Sequence, residues 1–377
     1  MGNWHTWVEI SKSAIEHNLA QYQNIIGNNN VLAPVVKSNA YGHGIAEISY
    51  ICKQSKNKMW FCVTNLGEAI TLREGNVTNP ILVLSYIEKD PELAALLNIS
   101  VVAYDADTIK KLNTIGKKIN KIFNIHIKVD TGLSRLGVDA HNAIELIKEA
   151  KNLENINIEG IWTHFAEAQA EDRTFTNKQN NIFYNLIKNI KKIGIKIPFI
   201  HSCNSSAIAT VNLDHTNFFR IGIGLYGYWP SDYIKKISQK KYPDFNLKPS
   251  LTWKSKIFHI KHIPAGRFVG YNRTYQTKKD TTIAIIPVGY FDGYDRRLSN
   301  KGNVIINDQI APILGIVCMN VLTVDVTNIK NTNIGDEVIL VGNRPGIKVN
   351  EIAKLIHVNP REITTNINPE IPRIIVD

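Results

Sequence analysis

The chain is poor in cysteine, with only Cys52, Cys62, Cys203 and Cys318 scattered over 377 residues. That spacing excludes a disulfide framework or a zinc knuckle, and buried free thiols are expected. No run approaches 18 continuous apolar residues, which excludes a membrane-crossing helix. The opening MGNWHTWVEISKSAIEHNL has no basic head leading into an apolar stretch and no small-residue cleavage site, so a cytoplasmic protein is expected. Arginine-rich clustering is also missing. The net charge of +11 comes from lysines spread along stretches such as 109–121 and 184–192, which argues against a nucleic-acid partner and fits a general field attracting small anions.

What the sequence does have is repetition. From residue 31 to about 223, short apolar β-type runs alternate with helical runs rich in lysine and glutamate. The strand candidates are 31–36, 59–63, 80–84, 99–104, 123–129, 158–164, 197–202 and 218–223. Helical periodicity fills 65–75, 105–119, 141–151 and 173–192. Eight continuous apolar strands separated by helices predict an α/β fold of the TIM-type (β/α)8 barrel, each strand covered on its outer face. The length exceeds what one core usually supports, so a second domain is expected. The polar, proline-containing stretch 228–250 reads as a connection, and from Leu251 onward short β-type runs predict a mostly β C-terminal domain. The predicted boundaries are 11–232 for the barrel and 245–377 for the β-rich domain, with strand 4–10 returning to join the latter.

Barrel enzymes carry their chemistry at the C-terminal ends of the strands. Lys37 ends the first strand in VVKSNAYGHG, Lys128 lies near the end of the fifth, His164 ends the sixth, Asn204 and Ser205 follow the seventh, and Arg220 lies in the eighth. Lys37 has two readings: an amine that forms a Schiff base, its neutral form favoured by partial burial, or a strand-end lysine reaching out to water. Arg220 precedes Ile221-Gly222-Ile223-Gly224, where small residues leave backbone N–H groups open to a phosphate; the other reading is an ion pair closing one end of the barrel. In HIKVDTGLSRLG, Lys128, Asp130 and Arg135 form either a salt-bridge network or, with Lys128 carboxylated, a device that fixes the Arg135 fork for a substrate carboxylate. His164 either stacks on a planar cofactor or makes a hydrogen bond within the core.

Taken in order, VVKSNAYGHG, HIKVDTGLSRLG, GIWTHFAEA, HSCNSSA, RIGIGLYG, IPVGYFDGYDRRLSNKG and CMNVLTVDVT resemble bacterial alanine racemases dependent on pyridoxal 5'-phosphate (PLP), across nearly the whole length. The resemblance implies a head-to-tail homodimer whose active sites are each completed by the partner, a small amino acid as substrate, and interconversion of L- and D-alanine by two bases. Lys37 resembles the lysine that holds PLP as a Schiff base and serves the D face of the α-carbon. Tyr271, in RFVGYNRTY, resembles the opposing tyrosine from the other subunit, with His164 as its coupling neighbour. Arg220 resembles the arginine facing the pyridine nitrogen. Tyr41, Asn204, Ser205, Gly222 and Ile223 resemble the phosphate-binding set. Arg135 and the backbone near Met319 resemble the holders of substrate carboxylate, with Lys128 as the carboxylated lysine. Tyr290 and Arg296 resemble residues lining the access corridor. Three positions depart from the family pattern: Asn320 stands where Asp is usual, Gly270-Tyr271-Asn272 replaces Ser-Tyr-Gly, and Arg361 occupies a tyrosine position that contacts phosphate and narrows the pocket. The last change opens the alternative of a serine or broader small-amino-acid racemase. A decarboxylase and a non-enzymatic PLP-binding protein are the other readings; Arg220 opposes the first, and the retained second domain opposes the second.

Overall fold

The computed structural model describes residues 4–54, 59–87 and 89–377. The chain divides into two compact units. A barrel unit comprises Ala14–Ser38 and Ile48–Lys248; a β unit comprises the segment ending at Ser13, Asn39–Glu47 and Pro249–Asp377. No helix among the described residues is long and apolar enough to cross a membrane.

The first strand, β1 (Thr6–Ser11), belongs to the β unit. The barrel unit follows with β2 (Val31–Pro34), β3 (Phe61–Val63), β4 (Ile81–Val83), β5 (Ile99–Ala103), β6 (Phe123–Asp130), β7 (Val138–Asp139), β8 (Ile156–Trp162), β9 (Phe199–His201) and β10 (Phe218–Ile221). Strands β3, β4, β5, β6, β8 and β9 pair in that order, all parallel, with β7 added alongside β6. Strand β10 pairs with β2, also parallel. Bridges Leu32–Met59 and Val35–Cys62 join β2 to β3, and Asn217 N–H donates to Ile200 O at 3.1 Å between β9 and β10, so the ring closes. Every residue of β2, β3, β4, β5 and β10 is buried, which is why these strands read as apolar runs broken only by Ser100 in β5 and Arg220 in β10. Cys52, Cys62 and Cys203 are buried free thiols, whereas Cys318 is half-buried.

The stretch 228–250 differs from expectation. It carries a helix, Asp232–Lys241, started by Ser231 Oγ accepting from Ile234 N–H at 3.2 Å, and the barrel unit continues to Lys248. Ile234 and Ser238 are buried in this helix, and its lysines made the segment look like a linker.

In the β unit, β11 (Leu251–Lys256), β12 (His259–Ile263), β13 (Phe268–Val269), β14 (Tyr275–Gln276), β15 (Thr281–Ile286), β16 (Asn303–Ile306), β17 (Gln309–Pro312), β18 (Leu322–Asp325), β19 (Glu337–Val341) and β20 (Arg373–Val376) form three separate arrangements. The largest is a six-stranded sheet in the order β17-β16-β19-β11-β1-β20. Strand β1 pairs antiparallel with β11 and parallel with β20, burying Val8 and Ile10 completely. Burial of each such side chain stabilises by about 1.5–3 kcal/mol. Strands β12, β15 and β18 make a second sheet, and β13 and β14 a hairpin. Two helices, Val349–Leu355 and Pro360–Thr365, interrupt the otherwise β-rich chain; the second starts with a capping box between Asn359 and Glu362.

Segment 39–47 is held to this unit by close backbone approach. At Gly42, φ is +84° and an added Cβ would sit 1.8 Å from Thr364 O. Arg373 donates to Gly42 O at 3.1 Å and to Asn368 O at 2.7 Å, tying the same strands of chain together. Gly42→Ala is therefore expected to destabilise on the order of 2 kcal/mol or more, through both strain and overlap. Urea unfolding checks this, and a midpoint equal to that of the parent would contradict it.

Candidate active site

Lys37 follows β2, and the backbone after it is left-handed: φ is 53° at Ser38, 51° at Asn39, 53° at Ala40 and 55° at Tyr41. Left-handed helix costs about 1–2 kcal/mol per non-glycine residue. Side chains repay part of that. Asn39 Oδ1 accepts from Ile45 N–H at 2.8 Å, and Glu68 accepts from Ser38 N–H at 2.5 Å and Thr64 N–H at 2.7 Å. A strained turn so heavily pinned marks a placement that matters.

Inside the barrel, Arg220 and Lys128 are both buried. Each lies 4.6 Å from the ring centre of Trp162. Burial, then the nearby Arg135 and Arg220, push the Lys128 amine down to about 8; Lys37 acts in the same direction and Asp130 opposes it. His164 is held well below the usual imidazole range by burial, with Arg220, Lys128, Arg135 and Lys37 adding to the effect. The structure thus brings Lys37, Lys128, Arg135, His164 and Arg220 into one electrostatic cluster.

Arginine can only donate, so its partners' roles are fixed. Arg220 donates to Thr163 O at 3.0 Å, to His164 Nδ1 at 3.4 Å, and to His201 Nδ1. Its hydrogen bonds use Nη1 and Nη2, while none of the described residues accepts from Nε. The alternative of an ion pair closing the barrel is not what forms, for Arg220 has no carboxylate partner among the described residues. Likewise, Asp130 accepts from Gly132 N–H at 2.8 Å and Leu133 N–H at 3.0 Å rather than pairing with Arg135, which is exposed.

The glycine-rich turn also differs from expectation. The N–H groups of Gly222 and Gly224 are not open; both donate to Ser205 Oγ, at 2.9 and 3.2 Å. Ser205 itself begins a short helix capped by Asn204, whose Oδ1 accepts from Ser206 and Ala207 N–H at 3.1 and 3.2 Å. Ile223 is buried between the two bonded glycines. Tyr22 completes the arrangement: it bonds to Ser205, and its hydroxyl would lie 2.0 Å from a Cβ at Gly224.

The remaining candidates belong to the β unit. Burial raises the Tyr41 phenol, and Arg361 opposes that shift, so the arginine that replaces the family's tyrosine stands beside Tyr41. Arg361 also donates to Asn359 Oδ1 at 3.3 Å. Tyr271 is 71% exposed and is flanked by Gly270 at φ 74° and Asn272 at φ 58°. Gly and Asn are the residues that tolerate this region, which explains how the altered Gly-Tyr-Asn sequence keeps the turn. Tyr290 and Phe291 donate backbone N–H groups to Cys318 O and Met319 O, each at 3.0 Å, and Gly289 leaves no room for a Cβ there. Met319 and Tyr290 are exposed, as is Asn320. Arg296 opens a 3-10 turn in which the neighbouring Arg297 takes Asp295 at 2.6 Å.

Sequence reading missed His126, Glu159, Trp162, His201 and Tyr22. The first of these was detectable: in FNIHIKVD, His126 has the same strand parity as Lys128, so both side chains point to the same face of the sheet.

Residues 10–230 match the family model described as alanine racemase, N-terminal domain, and residues 250–375 match its C-terminal domain. An alanine racemase of Methanococcus maripaludis is 37% identical over 98% of both chains. Among solved structures, alanine racemase of Clostridium difficile 630 superposes with a TM-score of 0.93 at 31% identity, covering 100% of this chain and 97% of that one. Alanine racemase of Bartonella henselae with covalently bound pyridoxal phosphate gives a TM-score of 0.84 at 29% identity, over 99% and 100% of the two chains. With both domain profiles matched in order and full-length relatives on either side of them, the chain belongs to the alanine racemase family.

Proposed function

We propose that this protein interconverts L- and D-alanine, with PLP as cofactor and with Lys37 and the partner subunit's Tyr271 as the two bases. The observation that carries the reading is the buried Arg220 guanidinium. Two of its nitrogens are committed to His201, Thr163 and His164, and its Nε–H is left for an acceptor such as a pyridine nitrogen. The residues present fit PLP in a second way: Lys37, Lys128, Arg135 and Arg220 gather around His164 with, among the described residues, Asp130 alone offsetting them at Lys128, an environment for a phosphate and a carboxylate.

When bound, PLP supplies an electron-withdrawing ring that lets the α-proton of an amino acid leave. The chain's own residues do the rest. Lys37 Nζ would hold the cofactor in the resting enzyme and handle the proton on one face. Tyr271 Oη handles it on the other, and inversion requires a proton removed on one side and returned on the other. Arg220, permanently charged, would offer a donor to the ring nitrogen without a proton to give up, which would limit how far the ring stores charge. His164, neutral at pH 7, neighbours the cluster without adding charge. Arg135 receives the substrate carboxylate together with the backbone near Met319. Ser205, through its hydroxyl, and Ile223 would be the barrel unit's phosphate contacts, with the Gly222 N–H already taken by Ser205, and Tyr41 and Arg361 are the candidates in the β unit. Tyr290 and Arg296 line the access path. The exposure of Tyr271, Tyr290 and Met319 in the single chain supports a homodimer in which these side chains complete the partner's site.

An amine near 8 is half-neutral at that pH and able to take up carbon dioxide, which converts Lys128 from a cation repelled by Arg135 to an anion paired with it. With ¹³C-labelled bicarbonate, a carbamate signal is expected to grow as pH rises through about 8 and to be absent in Lys128→Ala. No signal at pH 9 would rule out the modification.

The function is tested by proton NMR of the PLP-loaded enzyme with L-alanine and, separately, L-serine in deuterated water, followed by chiral analysis. Loss of the α-proton with appearance of the D enantiomer is expected for alanine. Arg361 and Asn320 favour a second reading, a broader small-amino-acid racemase, and comparable rates for serine would establish it.

A further inference from the structure

Arg220 stands at one end of a line of buried groups that crosses the barrel. His201 accepts from Arg220 at Nδ1, and its Nε2 lies 2.8 Å from His126 Nδ1. His126 Nε2 lies 3.4 Å from Glu159 Oε2, an approach that stops short of a formed hydrogen bond and leaves this buried nitrogen with no other partner among the described residues, and Glu159 Oε2 also accepts from Ser100 Oγ at 2.5 Å. Both imidazoles are fully buried, and Trp60, Phe199 and Phe218 pack around them.

The two ends dictate the direction of every proton between them. A guanidinium only donates, so His201 Nδ1 must be bare and its proton must sit on Nε2. That proton can go only to His126 Nδ1, which leaves the second proton on His126 Nε2, facing a carboxylate that only accepts. Reasoning from Glu159 inward gives the same assignment. The backbone is shaped to allow it. A β-bulge in β8 between the Ile125–Ile158 and His126–Gly160 pairs inserts Glu159 as an extra residue and re-aims its side chain. Gly160 supplies the space, since a Cβ there would lie 2.2 Å from His126 Nδ1. Burial lowers both histidines, so each stays neutral with one proton to place.

We infer that Glu159 is a positioning residue: through His126 and His201 it favours the Nε2–H tautomer of both imidazoles and so holds the Arg220 guanidinium in one orientation, with its Nε–H kept out of this line. The consequence for catalysis rests on the PLP reading; the tautomer assignment does not. In Glu159→Gln the amide can present its oxygen, which keeps His126 Nε2–H, or its NH2, which donates to His126 Nε2 and puts the proton on Nδ1, facing His201 Nε2, so the far end no longer enforces what the Arg220 end requires. In the second case His201 would need its proton on Nδ1, against the Arg220 donor, so the line breaks at one of its links.

The test is long-range ¹H–¹⁵N correlation of the imidazole rings in the ¹⁵N-histidine-labelled, PLP-loaded enzyme, with His126→Asn and His201→Asn used for assignment. Both rings are expected as neutral Nε2–H tautomers from pH 6 to 8. In Glu159→Gln the His126 signals are expected to move to the Nδ1–H or a mixed pattern. The same variant is expected to lose about 10-fold in kcat with little change in KM, as groups that orient a functional side chain do, and Glu159→Asp to recover part of the loss. An Nδ1–H tautomer or a doubly protonated ring at either position in the parent enzyme would overturn the proposal. So would a Glu159→Gln enzyme with unchanged tautomers and unchanged kcat. Should Glu159→Gln fail to fold, the parent spectrum alone still decides the tautomers. If the parent shows both Nε2–H rings while no amino acid is racemised, the line stands and the racemase reading fails.

Discussion

Tyr271→Phe is expected to slow racemisation by about 10²- to 10⁴-fold, the range a positioned acid or base contributes, with bound-cofactor absorbance and thermal stability unchanged. The stability half follows from exposure: at 71% exposed, the hydroxyl leaves no buried partner unsatisfied when it is removed. Lys37→Ala is expected to be equally inactive and to lose the covalent cofactor band as well. The pair makes a sharper experiment together. In a mixed dimer, co-expressed and isolated through two different tags, one site combines both substitutions and the other combines the intact Lys37 of one chain with the intact Tyr271 of its partner. Symmetry then predicts about half the activity of the parent dimer. A mixed dimer as inactive as its parents would mean that Lys37 and Tyr271 do not meet across a subunit boundary.

Arg220→Leu is the other large effect. Its guanidinium serves Thr163 O, His201 and His164 in a buried setting, so truncation strands acceptors that water cannot reach. Each unsatisfied buried group costs about 1–3 kcal/mol, giving on the order of 3–5 kcal/mol in all. A lower midpoint in thermal and urea unfolding is expected alongside lost activity. Arg220→Lys separates charge from shape, because an ammonium restores the charge without the planar fork. It is expected to regain part of the stability and little of the activity; parent-level turnover would show that charge alone suffices.

The barrel was legible because its strands are buried on both faces, which leaves an apolar signature in runs such as VLAP and ISVVA. Arg220 stood out for the same reason, as a cation at a buried strand position, and Lys37 as the half-buried cation just after one. The left-handed turn from Ser38 to Tyr41 left no such trace, since it uses no glycine at those four positions and depends on Asn39 and Glu68 contacts made after the chain folds. The commitment of Gly222 and Gly224 to Ser205 was hidden as well, because a glycine shows that its N–H is accessible and not which acceptor claims it. His126, His201 and Glu159 lie on three segments far apart in sequence, and only the closed barrel puts them in line. The helix Asp232–Lys241 was obscured by its own composition, with only Ile234 and Ser238 turned inward.

The pairing of β1 with β20 bears on how the molecule is made. Val8 lies beside Arg373, and Ile10 beside Ile375, so one edge of β1 waits for residues more than 360 positions later, while its other edge is covered by β11 more than 100 residues earlier. The barrel unit between them has all its strands by Ile221 and can close long before that. During the interval β1 offers unpaired N–H and C=O groups and two large apolar side chains to whatever is nearby, the condition in which strands find wrong partners. On the ribosome, β11 therefore gives β1 its first sheet neighbour, and the arrival of residues 373–376 closes the edge that remains. Slowing translation between the codons for Lys256 and Arg373 should lower the soluble yield without altering the enzyme that does fold.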